Sequence, residues 1–190
     1  MSREPRGTLL VVSGPSGVGK TTIARKLREV PGIVRVMTTT TRARRPQEVD
    51  GRDYRFLTRE EFQAAKGRGE FLEWAEIDGN LYGTPEAEIE RQLSAGKTVL
   101  VDIDTQGARS VREMRLPALF VFIAPPDMDE LRRRLEGRKS EDPEAVRMRL
   151  ARAEREMNEK DSYDLVVVNV TVERAVEEIL AAARGRGLLN

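Results

Sequence analysis

Residues 14–21 read Gly-Pro-Ser-Gly-Val-Gly-Lys-Thr, the spacing G-x-x-x-x-G-K-[ST]. Glycines at these places let backbone N–H groups turn inward around an anion with no Cβ in the way. A helix that begins at Lys20 aims the positive end of its dipole at the same point. Lys20 is then within reach of the β and γ phosphates of a nucleoside triphosphate, and the Thr21 hydroxyl suits Mg²⁺. Gly14, Pro15, Ser16, Gly17, Val18, Gly19, Lys20, Thr21 and Thr22 are expected to hold that triphosphate. An ordinary strand-to-helix turn needs neither Lys20 nor Thr21.

A second group of chemically capable residues follows. Thr38-Thr39-Thr40-Thr41-Arg42 runs on to Arg44 and Arg45, with Tyr54, Glu73, Tyr82 and Thr84 beyond. Arginine forks and tyrosine hydroxyls suit a phosphate dianion. A carboxylate beside a threonine hydroxyl suits guanine, whose N1–H and N2 amino groups are adjacent donors. The same carboxylate rejects adenine, which presents an acceptor at N1. Taken singly, Arg42, Arg45 and Glu73 are unremarkable surface charges, so the weight rests on their joint spacing.

The elements that must position these groups are legible as an alternation. Residues 8–13, 97–102, 118–124 and 164–168 are short Val/Leu/Ile-rich runs and read as strands. Helical patterns cover 20–30, 105–115, 127–138 and 172–184. Apolar strands alternating with helices predict an α/β fold, a parallel sheet with helices on both faces and right-handed crossovers. Two stretches break the rhythm. Residues 38–85 are polar and Arg- and aromatic-bearing, and predict an inserted subdomain in which Phe62, Phe71 and Trp74 form a small core. Residues 136–161 are highly charged and predict a helical flap. Asp102 closes the run 97–102 and Asp104 follows two residues on, at the end where ligands meet a doubly wound sheet, and Gln106 falls in the capping region of the next helix.

Composition narrows the chemistry. The 190 residues form one domain-sized core. With Lys+Arg 33 and Asp+Glu 32, the balance of +1 disfavours a globally basic nucleic-acid binder. Neither Cys nor His occurs, which excludes thiolate and histidine chemistry and leaves phosphoryl transfer, carboxylate chemistry or binding. Arginine dominates the cations, 27 of the 33, so position decides which few act. No run approaches the roughly 18 apolar residues of a membrane span, and no targeting segment stands out; a soluble, cytoplasmic protein is expected. A phosphate loop alone serves ATPases, GTPases and kinases. The guanine-reading box Asn-Lys-x-Asp of GTPases is missing from this chain, and the polar insert favours a small-molecule kinase.

At this point the chain resembles the guanylate kinases, nucleoside monophosphate kinases of the P-loop kinase class. The resemblance runs from about residue 8 to 184 through SGPSGVGKTT, TTTTRARRPQEVDGRDY, FLEWAEIDGNLYGT, VLVDIDTQG, FIAPP and RLEGR. It implies phosphorylation of GMP to GDP by ATP with Mg²⁺, within a single domain. The implied core is 7–36, 86–126 and 162–190, with a GMP-binding insert at 37–85 and a lid at 127–161. It gives Thr38, Glu73, Thr84 and Asp104 to guanine, and Arg42, Arg45, Tyr54 and Tyr82 to the GMP phosphate. It places Asp102 near the metal through water. It names Arg134, Arg138 and Arg149 as lid arginines that close on the ATP phosphates. The implied catalytic set is Lys20, Arg42, Arg45, Arg138 and Arg149. Partners implied are ATP and GMP, with dGMP and the oligomeric state left open, and with no role for nucleic acid or membrane. One position departs: the family's Val-Asn-Asp near the adenine stands here as Val168-Asn169-Val170, keeping Asn169 as an adenine-side candidate. Two alternatives remain: a non-catalytic domain of this fold that binds phosphorylated peptides, and a kinase of this fold acting on a sugar phosphate.

Overall fold

The computed structural model describes residues 7–136 and 143–189. The expected α/β architecture is present. Strand β1 (Thr8–Ser13) leads into helix α1 (Lys20–Leu27) and the short strand β2 (Ile33–Arg35). A second sheet is then laid down by β3 (Thr39–Thr40), β4 (Arg55–Phe56), helix α2 (Arg59–Gly67), β5 (Phe71–Ile77) and β6 (Asn80–Pro85). The chain returns through α3 (Glu86–Ser94), β7 (Thr98–Asp102), α4 (Thr105–Glu113) and β8 (Ala118–Ala124). It finishes with α5 (Met128–Glu136), α6 (Pro143–Met157), β9 (Leu165–Val168) and α7 (Val172–Gly185).

The main sheet has the order β2-β7-β1-β8-β9, and every pairing in it is parallel. Period two sorts β1 between two cores. Leu10 and Val12 pack with Ile23, Leu27, Ile179 and Ala183 of α1 and α7 on one face. Leu9 and Val11 pack with Ile89, Ala108 and Val111 of α3 and α4 on the other. Burial on both faces is why these strands are continuous apolar runs. The second sheet, β4-β3-β6-β5, is mixed: β5 and β6 form an antiparallel hairpin and β3 pairs parallel with β4. Helices α5 and α6 share a small core of Leu131, Leu135, Val146 and Ala153. Among the described residues, no helix is long and apolar enough to cross a membrane.

Two expectations need adjusting, and a third falls outside what the structure describes. Helix α1 ends at Leu27 rather than residue 30, capped by Arg28, because the chain must turn at Gly32 to start β2. Trp74 is not in the insert's core. Glu73, Ala75 and Ile77 turn toward the cleft, so the alternation of β5 sends Trp74 outward, where it is 39% exposed. The ammonium of Lys66 covers its ring, 3.4 Å from the centroid. Phe62 is fully buried and stacks on the half-buried Phe71, with centroids 4.5 Å apart. Arg138, with the adjacent Gly137, lies outside the described residues.

Candidate active site

The phosphate loop joins the end of β1 to α1, at the C-terminal edge of the parallel sheet. Gly19 is the N-cap of α1 with φ of 101°. A Cβ there would meet the Asn169 amide nitrogen at 2.5 Å, so both conformation and space require glycine. The Lys20 ammonium turns back onto the loop and donates to the carbonyls of Gly14 and Pro15. Burial lowers its pKa, while the nearby carboxylates of Glu156, Asp104 and Asp102 oppose that shift. Such a cation is poised for an anion that meets several donors in one place.

Two expected contacts take up a supporting position behind this loop. Asn169 is buried and donates from its amide to the Val18 carbonyl at 2.7 Å. Arg134 donates to the carbonyls of Val18 and Asn169 at 3.3 and 3.1 Å and to Glu130 at 2.8 Å. Both therefore brace the loop's backbone from the side of α5 and β9.

One cleft brings together most of the remaining residues. Ser16, Lys20, Thr21, Thr38, Tyr54, Glu73, Tyr82, Asp102 and Asp104 all line it. The run of threonines divides its labour. Thr40 donates to the Leu81 carbonyl and Thr41 accepts from the Leu81 N–H, tying this segment to β6. Thr38 is left facing the cleft. Glu73 is 5% exposed and accepts a short hydrogen bond from Thr84, its neighbour across the β5–β6 hairpin. Burial raises the Glu73 pKa to about 7; the Thr84 hydrogen bond opposes the rise and the Asp104 carboxylate adds to it. Asp104 caps α4, with Oδ1 accepting from the Gly107 N–H at 2.9 Å.

Gly107 is the close approach that lets Glu73 sit there. A Cβ at this position would lie 2.7 Å from Glu73 Oε2. The clash falls on the far end of a side chain, so the fold yields cheaply while the carboxylate moves. Gly107→Ala is expected to shift the thermal midpoint by only a few degrees. It should raise KM for a substrate held by Glu73 about tenfold, because a misplaced carboxylate forfeits roughly 1.4 kcal/mol. Steady-state kinetics in which both substrates are varied checks this; equal changes in both KM values would contradict it.

On the anion side, Arg42 grips Glu48 through two hydrogen bonds from one nitrogen, at 2.8 and 3.0 Å, and lies 5.5 Å from the centroid of the Tyr54 ring. The Arg45 backbone N–H joins the same carboxylate at 2.9 Å, and its side chain is exposed. Glu48 thus occupies Arg42 in the way a phosphate oxygen would. Tyr54 has its pKa pushed up to about 12, first by burial and then by Asp102, so its hydroxyl remains a donor. Asp102 accepts from Arg35 Nε at 3.1 Å, so that carboxylate oxygen has a structural partner on the neighbouring strand.

Two cleft residues were not anticipated. Arg152 and Glu156 of α6 line the same cavity. Arg149, on the same helix, stands 3.5 Å from Asp78 at the β5–β6 turn. Arg152 and Glu156 look like one more i,i+4 surface pair in a chain full of them. The available signal was the helical wheel: residues 149, 152 and 156 all fall on one flank of the apolar stripe formed by Val146, Leu150 and Ala153.

Both the sequence and the fold match those of known proteins. The family model described as guanylate kinase matches residues 6–184. The chain belongs to the guanylate kinase family. The guanylate kinase of Rubrobacter xylanophilus is 51% identical over 94% of this chain and 94% of its own length. That of Symbiobacterium thermophilum is 50% identical over all of this chain and 92% of its own. The crystal structure of guanylate kinase from Anaplasma phagocytophilum superposes with a TM-score of 0.81 at 38% identity, covering 96% of this chain and 87% of that one. The parallel sheet, the inserted second sheet and the phosphate loop are therefore those of a guanylate kinase family member.

Proposed function

We infer that this cleft transfers the γ-phosphoryl group of ATP to GMP, yielding ADP and GDP. The observation that carries the reading is Glu73: a buried carboxylate, fixed by Thr84 and beside Asp104, in one cleft with Lys20. Two adjacent acceptor oxygens at the floor of a polar cleft suit the N1–H and N2 amino donors of guanine. Thr38 adds a hydroxyl to the same wall.

A GMP phosphate oxygen attacks the γ-phosphorus, a new P–O bond forms, and the bond to the bridging oxygen of ADP breaks. A phosphate dianion needs no general base, so the protein contributes alignment and charge neutralisation. Lys20 moves from its two loop carbonyls onto the β and γ phosphates. Arg42 exchanges Glu48 for the acceptor phosphate, joined by Arg45, Tyr54 and Tyr82. Arg149 reaches the donor phosphates from α6. Residues 37–85 act as the acceptor-binding insert and 127–161 as the lid over a core of 7–36, 86–126 and 162–190.

The residues fit a divalent ion carried by the nucleotide. Thr21 and Asp102 line the cleft next to Lys20, and among the described residues no group of three or more acidic side chains forms a cage. Mg²⁺ is commonly held by one or two protein oxygens, substrate phosphates and water. Bound there, it would neutralise charge on the β and γ phosphates.

Incubation with ATP, Mg²⁺ and GMP, followed by anion-exchange separation, should give ADP and GDP in equal amounts. ADP formation that does not depend on GMP would overturn the reading.

A further inference from the structure

Arg152 joins three separate parts of the molecule. Its Nη2 donates to Asp104 Oδ2 at 3.1 Å, at the cap of α4. Its Nε donates to Glu156 Oε1 at 2.9 Å, one turn along α6. Its Nη1 lies 3.7 Å from Asp78 Oδ1, at the turn between β5 and β6. Glu156 is 6% exposed, and its second oxygen is buried with no hydrogen-bond partner among the described residues. Of the carboxylates that act on Lys20, Glu156 acts most strongly. Lys20, Glu156, Arg152 and Asp104 thus line one cavity, and hydrogen bonds join the last three, from Glu156 through Arg152 to Asp104.

We propose that Arg152 is a positioning residue that couples occupancy of the acceptor-base pocket to the seating of α6 beside the phosphate loop, acting through Asp104. The proposal rests on the GMP reading above. Asp104 Oδ1 is fixed by the α4 cap, so Oδ2 is the oxygen shared between the lid helix and the pocket. A carboxylate oxygen accepts more than one donor, so a base amino group joins Arg152 there rather than evicting it. An incoming base also expels water from the cleft. The Arg152–Asp104 pair, with side chains 24% and 9% exposed, then interacts through a lower effective dielectric and strengthens. The base thus tightens the seat of α6. By reciprocity, a donor nucleotide that seats α6 tightens the base.

The test is GMP titration by calorimetry, with and without a non-hydrolysable ATP analogue and Mg²⁺. In the wild type, the analogue should tighten GMP binding about tenfold, within the ordinary range of coupling between sites. In Arg152→Gln the factor should fall below about twofold, while GMP alone binds within about threefold of wild type. A merely structural role would weaken both titrations together and leave the factor unchanged, which would overturn the proposal. An uncoupled wild type would overturn it too. Arg152→Lys keeps the cation but not the fork that spans Glu156 and Asp104. It should lose more than half of the coupling, and it supplies the comparison if the glutamine variant does not fold. A wild type that binds no GMP would instead overturn the reading on which the proposal rests.

Discussion

Lys20→Ala should cut turnover by about 10²–10³ at saturating ATP, the range found when one preorganised donor to transition-state charge is removed. The fold should survive. The Lys20 ammonium spends its hydrogen bonds on two loop carbonyls, which water replaces once the side chain is gone. The loop's shape is held instead by Asn169 and Arg134 on the Val18 carbonyl. The burial that lowers the lysine's pKa means that the cation is held in a costly place, a cost repaid only when phosphate arrives. Single-turnover kinetics and a melting curve together decide the matter. A variant with more than half of wild-type turnover removes Lys20 from the chemistry. A variant that melts far below wild type makes it a structural residue.

Glu73→Gln should lower kcat/KM for GMP about a hundredfold. A neutral amide offers one acceptor and turns its donor toward the base, which leaves a guanine donor unpaired in a buried site at about 1–3 kcal/mol. IMP lacks the N2 amino group and should lose less. Equal proportional losses for the two would show that Glu73 does not read N2. The same substitution carries a second signature. The folded pKa of Glu73, about 7, lies above its ordinary value of 4.5 because burial disfavours the charged form. The folded state therefore prefers the neutral carboxyl. The stability that this gives is fully present below pH 4.5 and is lost as pH rises through 7. Glutamine never ionises, so the variant should exceed wild type above pH 7 by about 2–3 kcal/mol, with the difference closing toward pH 4.5. Urea unfolding at pH 5 and pH 8 measures this; the same difference at both pH values would mean that Glu73 titrates as an ordinary exposed carboxylate.

Much of the site was legible because its chemistry is written in contiguous segments. The phosphate loop sits between a strand with a four-residue apolar centre, residues 9–12, and a helix, so its context confirmed its spacing. The strands of the main sheet were visible because burial on both faces forbids polar interruptions. Strand β2 was not visible: three residues at a sheet edge, ending in Arg35, make no apolar run. Helix α3 was missed for a similar reason, since Ile89 is its single fully buried residue. The supporting roles of Arg134 and Asn169 were hidden because their partners are backbone carbonyls, on which sequence is silent. Trp74 shows the limit of composition. An aromatic in an aromatic-bearing insert looks like core, yet once Glu73 faces inward a strand must turn its next residue out.

The most direct test of the account is kcat/KM across a panel of acceptors, GMP, AMP, UMP and a ribose bisphosphate, with ATP and Mg²⁺. A cleft built on Glu73, Thr84, Thr38 and Asp104 should favour GMP over AMP by about 10⁴ or more, because adenine leaves buried acceptors unpaired. UMP and the sugar phosphate should be turned over no better than AMP. AMP or the sugar phosphate used within about tenfold of GMP, a gap of roughly 1.4 kcal/mol, would contradict the account, as would no transfer to any acceptor.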